Sequence, residues 1–372
     1  MKYKGNAFIK MNITLRDVAK LARTSKSTVS RVLLGQPDVN ARTRLRVERA
    51  VKRTGYRPNV FARGLSGGRT GIVAALGRWM GGDFMMDVMR GIHDEAANHL
   101  NYVICRVALT PAEYINAWQR FVQEGMIDGI ILIAPPCELY QERPEAGHVP
   151  SVLCASRPPK DRRAWSKIDS VVLDNERAMT ELLLHLVDQG CRRLVHLEGN
   201  ADNYDTRERS RCFREFITRC PEVAGEVIPA SERRALVRLK VREYLDQKKS
   251  FPDAFIGFND DIAMGVIDGL KERGIHIPSD VAVTGFDDSA VASVAELTSV
   301  RVPAYMAGRE SVRTLFARLN CEVSEDTPQR VTMDLPLQIR TSSLLHREQH
   351  ERKKKRSQRG NEALSWPDTP PA

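Results

Sequence analysis

No stretch of the chain has the roughly eighteen apolar residues that a membrane-spanning helix needs. The opening MKYKGNAFIK carries no apolar signal core. Cysteine chemistry is equally thin. The seven cysteines are an odd number, and none stands in a Cys-x-x-Cys pair or a His/Cys cluster. Reduced thiols in a cytoplasmic protein, with no structural metal, are the expectation. Catalytic signatures are missing as well. There is no G-x-x-x-x-G-K-[ST] loop, no G-x-G-x-x-G after a strand, no G-x-S-x-G elbow and no H-E-x-x-H helix. Histidines are few and scattered, and adjacent carboxylates such as Asp287 and Asp288 rarely face one substrate together. These absences predict no catalytic residue, no cofactor and no metal.

Charge is present but unevenly placed. Sixteen Lys or Arg stand against three Asp or Glu in residues 1–68, whereas the whole chain is only +10. The remainder is therefore net acidic. Such asymmetry points to a polyanion partner for the N-terminal segment. Its cations would neutralise phosphates, giving affinity without sequence information.

Residues 14–33, TLRDVAKLARTSKSTVSRVL, read as two short amphipathic helices around a tight basic turn. The first starts at Thr14, with Asp17 completing a capping box. Leu15, Val18, Ala19 and Ala22 fall at helical spacing. Ser25 is the expected N-cap of the second helix. There Val29, Val32 and Leu33 point inward, Thr28 sits at the edge, and Lys26, Ser27, Ser30 and Arg31 are left outside. Small hydroxylated and basic side chains suit a helix that enters a major groove. A third helix is capped by Asn40, carries Val47, Ala50 and Val51 as its stripe, and ends at Gly55 and Pro58. An ordinary three-helix bundle with a basic surface fits the same pattern.

In GYRPNVFARGLSGGR (55–69), Asn59 caps a helix of under two turns, too short to stand alone in water. Leu65 is either a wedge between base steps, inserted from the minor groove, or an incidental residue of a flexible linker. Beyond it, apolar runs alternate with amphipathic stretches: GIVAAL, YVICRVA, DGIILIA, SVLCA, RLVHLEG, FIGF and VAVTGF. That pattern predicts parallel sheet covered on both faces, with ligands at the carboxyl ends of the strands. From His346 the composition turns to HREQHERKKKRSQRG and a Pro-rich end. A disordered tail over 346–372 is expected, without leucine heptads, whose KKKR run either adds nonspecific DNA affinity or is simply solvated.

The helix-turn-helix block, ARTRLRVERAVKRTGYRPN and NVFARGLSGGR resemble the lac repressor/Gal repressor family of bacterial transcription regulators. The likeness continues through MRGIHDEA (89–96), IDGIILIAP (127–135), VVLDNERA (171–178), FNDDIAMG (258–265), VAVTGFDD (281–288) and LPLQIRTS (335–342), and so spans roughly residues 12–343. The resemblance implies an all-α helix-turn-helix domain (12–57), a hinge helix and linker (58–68), and an α/β effector-binding and dimerisation core (69–345). The core would be periplasmic-binding-protein-like, with two parallel-sheet subdomains: about 69–168 with 301–328, and about 169–298 with 329–345. The chain would cross between them near 168–170, 298–301 and 328–331.

By the family pattern Lys26 and Ser27 set the operator sequence, and Ser30 and Arg31 contact bases or phosphates. Thr14, Leu15, Ser25, Thr28, Asn59 and Arg63 complete the DNA-binding set, with Leu65 as the wedge. Leu34 stands where the family usually has Asn.

In the core, polar residues gather where strands meet helices. Asn259 and Asp260 follow FIGF, Asp287 and Asp288 follow VAVTGF, and Arg209 opens a helix after the polar loop Asn200–Asp205. Carboxylate, amide and guanidinium groups offer sugar hydroxyls paired donors and acceptors. The resemblance carries Arg209, Asn259 and Asp287 over as effector contacts, with Phe84 as the cleft aromatic. Asp260 and Asp288 fit helix caps or ion pairs better. Several positions depart from the family: Ser156 where Asp is usual, Val302 for a polar residue, Cys212 and Arg177 for Gly, Cys191 for His. The reading is a repressor that binds a pseudo-palindrome of double-stranded DNA as a homodimer. A sugar or sugar derivative would control it, and no membrane is involved. An architectural DNA-binding protein and an enzyme fused to a DNA-binding module are the alternatives.

Overall fold

The computed structural model describes residues 13–33, 36–56, 69–78, 83–99, 102–142, 149–159, 161–231, 233–247, 251–324 and 326–345. The chain divides after Thr70 into two compact units.

The first unit holds α1 (Leu15–Ala22), α2 (Lys26–Leu33) and α3 (Ala41–Thr54). Val18, Ala22, Val29, Val32, Val47 and Ala50 make its small core. Local chemistry sets each helix end. Asp17 accepts from the backbone N–H and the hydroxyl of Thr14. Ser25 Oγ accepts from Thr28 N, and Asn40 Oδ1 accepts from Thr43 N. Gly55 closes α3 in the left-handed region, at φ 66°. Pro58, the expected helix 59–65, Leu34 and the 346–372 tail lie outside the described residues.

The second unit contains two six-stranded sheets. The first uses β1 (Ile72–Arg78), β2 (Tyr102–Ala108), β3 (Gly129–Ile133), β4 (Ser151–Cys154), β5 (Asp169–Leu173) and β11 (Arg330–Met333), in the order β11-β5-β4-β3-β1-β2. All its pairs are parallel. Both faces of β1 are buried, which is why its run is continuously apolar. Helices α4 (Phe84–Asn98) and α11 (Ala304–Leu319) cross closely on this sheet. A Cβ on Gly91 would overlap Tyr305 O, and one on Gly308 would overlap Val88 O. Helix α5 (Pro111–Gln123) packs on β1 and β2.

The second sheet uses β6 (Arg193–Glu198), β7 (Ala224–Pro229), β8 (Ala254–Gly257), β9 (Ala282–Asp287), β10 (Thr298–Arg301) and β12 (Leu337–Gln338), in the order β12-β10-β9-β8-β6-β7. Alternate residues feed opposite cores. Leu194, Ala254, Ile256 and Phe286 join Leu182 and Leu186 of α6 (Asn175–Asp188) and Phe213 of α7 (Tyr204–Arg219). Val195, Leu197, Phe255 and Val283 join α8 (Arg234–Gln247) and α9 (Asp260–Lys271). The short helix α10 is Ala290–Val294.

One expectation needs correction. The chain passes between sheets at 174, 302–303 and 334–336, later than 168–170, 298–301 and 328–331. The reason is backbone pairing: β5 and β11 hydrogen-bond within the first sheet and β10 within the second, so each crossing follows its strand. The second sheet is parallel, as expected, apart from its two-residue edge strand β12, which runs antiparallel to β10. In both sheets strand order reverses beside the first strand, between β1 and β3 and between β6 and β8. Crevices for ligands form at the carboxyl ends of strands at such points.

Candidate functional site

In the first unit, the expected DNA-contacting side chains share the outer side of α2. Lys26 and Ser27 are exposed, and Thr28, Ser30 and Arg31 are half-buried. Ser25 Oγ lies 2.7 Å from Ser27 Oγ and 2.8 Å from Thr28 Oγ1, so one hydroxyl orients its neighbours while capping the helix. Arg31 Nη1 is 2.9 Å from Asp38 Oδ2, an exposed pair that holds the guanidinium only weakly. Thr14 is exposed, while Leu15 packs against the three-helix core. Asn59, Arg63 and Leu65 lie outside the described residues.

In the second unit, the polar residues sit beyond the carboxyl ends of the strands. The helix holding Arg209 begins at Tyr204 rather than at Arg209, because Asn203 caps it through Asp205 N and Thr206 N. Arg209 therefore lies in its second turn and is only 2 % exposed. Its Nε donates to Asn175 Oδ1 at 2.9 Å, and its Nη1 donates to the Phe258 carbonyl at 2.6 Å. The guanidinium carbon stands 3.8 Å from the centroid of the Phe286 ring and 4.6 Å from that of Phe258. Two of its five N–H donors are thus engaged among the described residues.

Asn175 also donates to Asp205 Oδ1 at 2.7 Å. One amide therefore joins a buried carboxyl to a buried guanidinium. Asp205 and Asp287 both lie within electrostatic reach of Arg209. Burial pushes the Asp205 carboxyl up to about 6 and that of Asp287 up to about 7, against the opposing pull of Arg209. No side-chain hydrogen bond reaches the Asp287 carboxyl among the described residues.

Asp287 occupies a strained turn, at φ 99°, followed by Asp288 at φ 51°. Asp288 secures it. Its carboxyl accepts from Arg301 Nε at 2.7 Å and Arg340 Nη2 at 2.5 Å, and its N–H donates to Ser299 Oγ. Asp260 braces the same corner by accepting from Ser299 Oγ and from the Ser289 N–H and hydroxyl. Asn259 Oδ1 accepts from Ile262 N as the cap of α9.

From the first sheet, Ser156 is fully buried, with its Oγ 2.7 Å from Tyr140 Oη. Tyr140 in turn meets Trp165 edge-on, with ring centroids 5.2 Å apart. Phe84 begins α4 and packs against hydrophobic clusters of both sheets. Val302 and Cys212 are buried in the core of the second sheet, and the Arg177 guanidinium pairs with Glu181 and Asp334 at the surface.

The structure thus gathers Arg209 and Asp287, keeps Asn259 at the same strand ends, and places Ser156 and Phe84 on the first-sheet side. Asn175, Asp205 and Tyr140 were missed from sequence. The signals existed: Asp-Asn straight after the strand VVL, and a second polar cluster in NADNYD. Among the described residues no His/Cys/Asp/Glu group could hold a metal ion, and no helix is long and apolar enough to cross a membrane.

Comparison with known proteins agrees with both halves. Residues 14–59 match the family described as bacterial regulatory proteins, lacI family, and residues 183–343 match a periplasmic binding protein-like domain. Catabolite control protein A of Priestia megaterium is 28% identical over 323 residues, covering 85% of this chain and 96% of its own length. The HTH-type transcriptional regulator RegA of Clostridium acetobutylicum is 30% identical over 331 residues, covering 83% and 93%. Among solved structures, the complex of the transcriptional regulator CelR with cellobiose is similar at 28% identity and a TM-score of 0.66, covering 89% of this chain and 99% of that one. The lac repressor dimer bound to operator and the anti-inducer ONPF shares the fold, with 21% identity and a TM-score of 0.76 over the same shares. With relatives that are regulators rather than enzymes, and with a helix-turn-helix ahead of a two-sheet core, the chain belongs to the lacI family of bacterial transcription regulators.

Proposed function

We propose that the chain is a cytoplasmic repressor whose operator affinity is set by a sugar, or a sugar derivative, held between its two sheets. In this reading residues 12–57 read DNA, 58–68 connect, and 69–345 bind the effector and dimerise. The observation that carries the reading is the cluster of Arg209, Asp287, Asp205 and Asn175 at the strand ends. Among the described residues it combines N–H donors and carboxylate oxygens that have no side-chain partner with two aromatic rings, in a largely buried setting. Hydroxyl groups of a sugar donate to the carboxylates and accept from the guanidinium. Cellobiose in the related CelR supports a β-linked disaccharide as the first ligand to try.

The dimeric operator complex of the lac repressor supports a homodimer on a pseudo-palindrome. An edge strand fits that role. β2 ends the first sheet with Tyr102 and Val107 exposed, next to exposed Leu109. Such an edge attracts a second copy.

The test is thermal denaturation of the full chain against a panel of mono- and disaccharides, nucleosides and sugar phosphates. A ligand at about a hundred times its Kd adds about 2.7 kcal/mol of stability. One sugar that raises Tm in the wild type and fails to do so in Arg209→Ala supports the reading. A panel without any such sugar, or a nucleoside in its place, contradicts it.

A further inference from the structure

We propose that Arg78 and Asp202 form a latch that holds the cleft shut before any ligand arrives. Three contacts converge there. Arg78 ends β1 and is only 4 % exposed, and its Nη1 lies 2.8 Å from Oδ1 of Asp202, in the loop between β6 and α7. The backbone N–H of Cys137, just past β3, donates to the Asp202 carbonyl at 2.8 Å. Pro136 and Asn203 form an isolated antiparallel bridge beside them.

The places are telling. On one side, Arg78, Pro136 and Cys137 follow β1 and β3, the two strands flanking the switch point of the first sheet. On the other side, Asp202 and Asn203 lead directly into α7. Asn203 caps that helix, which carries Asp205 in its first turn and Arg209 in its second. The latch therefore grips the helix that presents the guanidinium of the cleft.

The energetics suit a device that opens. Burying two charges removes their water, and that cost offsets most of their attraction. Among the described residues neither Arg78 Nη1 nor Asp202 Oδ1 has an aligned hydrogen-bond partner, so their attraction is chiefly that of charge. Opening the cleft rehydrates both groups. Closed and open forms then differ by a small free energy, as a two-state element requires. The latch sets the share of molecules that can admit a ligand, and hence the apparent affinity of the cleft.

Cys137 is a built-in reporter. It is half-buried beside the latch, burial raises its thiol pKa, and Arg78 is near enough to lower it. The experiment is labelling of the sugar-free full chain with N-ethylmaleimide, read peptide by peptide by mass spectrometry. Exposed Cys321, away from the β2 edge, serves as the rate reference, and fully buried Cys154 checks that the fold is intact. Loss of the Arg78 cation by electrostatics alone makes the Cys137 thiol less acidic and slows labelling. Opening of the cleft speeds it. In Arg78→Met, Cys137 should react about tenfold faster relative to Cys321, with Cys154 still protected. An unchanged or slower Cys137 overturns the latch. Should Arg78→Met leave Cys154 reactive, Arg78→Gln, which keeps a polar stub, decides by the same criterion. No sugar enters the experiment, so its outcome is separate from the effector reading.

Discussion

In the proposed reading Arg209 and Asp287 divide the labour of recognising a polar ligand. One offers donors on aromatic faces, and the other offers a carboxylate held on a strained turn by Asp288. Removing one charged partner of a buried ligand costs about 1.5–3 kcal/mol. Arg209→Ala and Asp287→Ala should each weaken effector binding by roughly ten- to a hundredfold. Both should keep operator affinity near wild type without effector. Arg31→Ala should do the reverse, losing operator affinity and keeping effector affinity. Titration calorimetry with the effector and fluorescence anisotropy with the operator check both. Equal effects on the two binding events in any of these variants would refute the division.

Proton affinity gives a second residue-scale prediction. Asp205 and Asp287 hold their protons more tightly folded than in an unfolded chain, with burial as the main cause and values raised from 3.8 to about 6 and about 7. The folded state therefore binds more protons between about pH 4 and 7, and stability contributed by the protonated groups falls as pH rises through that window. The slope is at most about 1.4 kcal/mol per pH unit for each proton. Asp287→Asn should flatten it in denaturant titrations run from pH 5 to 8. A wild-type slope left unchanged by Asp287→Asn would place the effect elsewhere. Motifs pointed to Arg209 and Asp287, which the structure brings within electrostatic reach of each other. Asn175 and Asp205 escaped because their roles depend on a 30-residue jump in sequence that only the packing of α6 on α7 closes.

Elements were legible wherever one local signal sufficed. Ser25 and Asn40 were visible as caps because capping needs only three neighbouring residues. The apolar runs of β1, β3 and β9 were visible because both faces are buried. β7 and β12 were not. The first alternates weakly at a sheet edge, and the second is two residues long. Sheet membership was misplaced for β5 and β11, because pairing is a long-range property that spacing does not encode. The crossing of α4 and α11 makes a sharp element-scale prediction. Gly308→Ala puts a methyl against the Val88 carbonyl, where backbone has to move. Overpacking of this kind costs about 1–3 kcal/mol. Chemical denaturation of the full chain should show that loss. A Tm equal to wild type would mean the helices separate without cost.

On the scale of the molecule, the chain joins a basic module that reads a polyanion to a net acidic core that reads a small ligand. The coupling between the two events is a free energy and acts both ways. An effector that weakens operator binding must itself bind less tightly to the DNA-bound protein, and by the same factor. The direct measurement is operator affinity of the full chain, by anisotropy on a duplex selected from random sequence. It is taken with and without a saturating amount of the sugar returned by the thermal panel. Operator affinity should change at least about fivefold in the wild type and not at all in Arg209→Ala. Equal operator affinity with and without the saturating sugar would contradict the coupling.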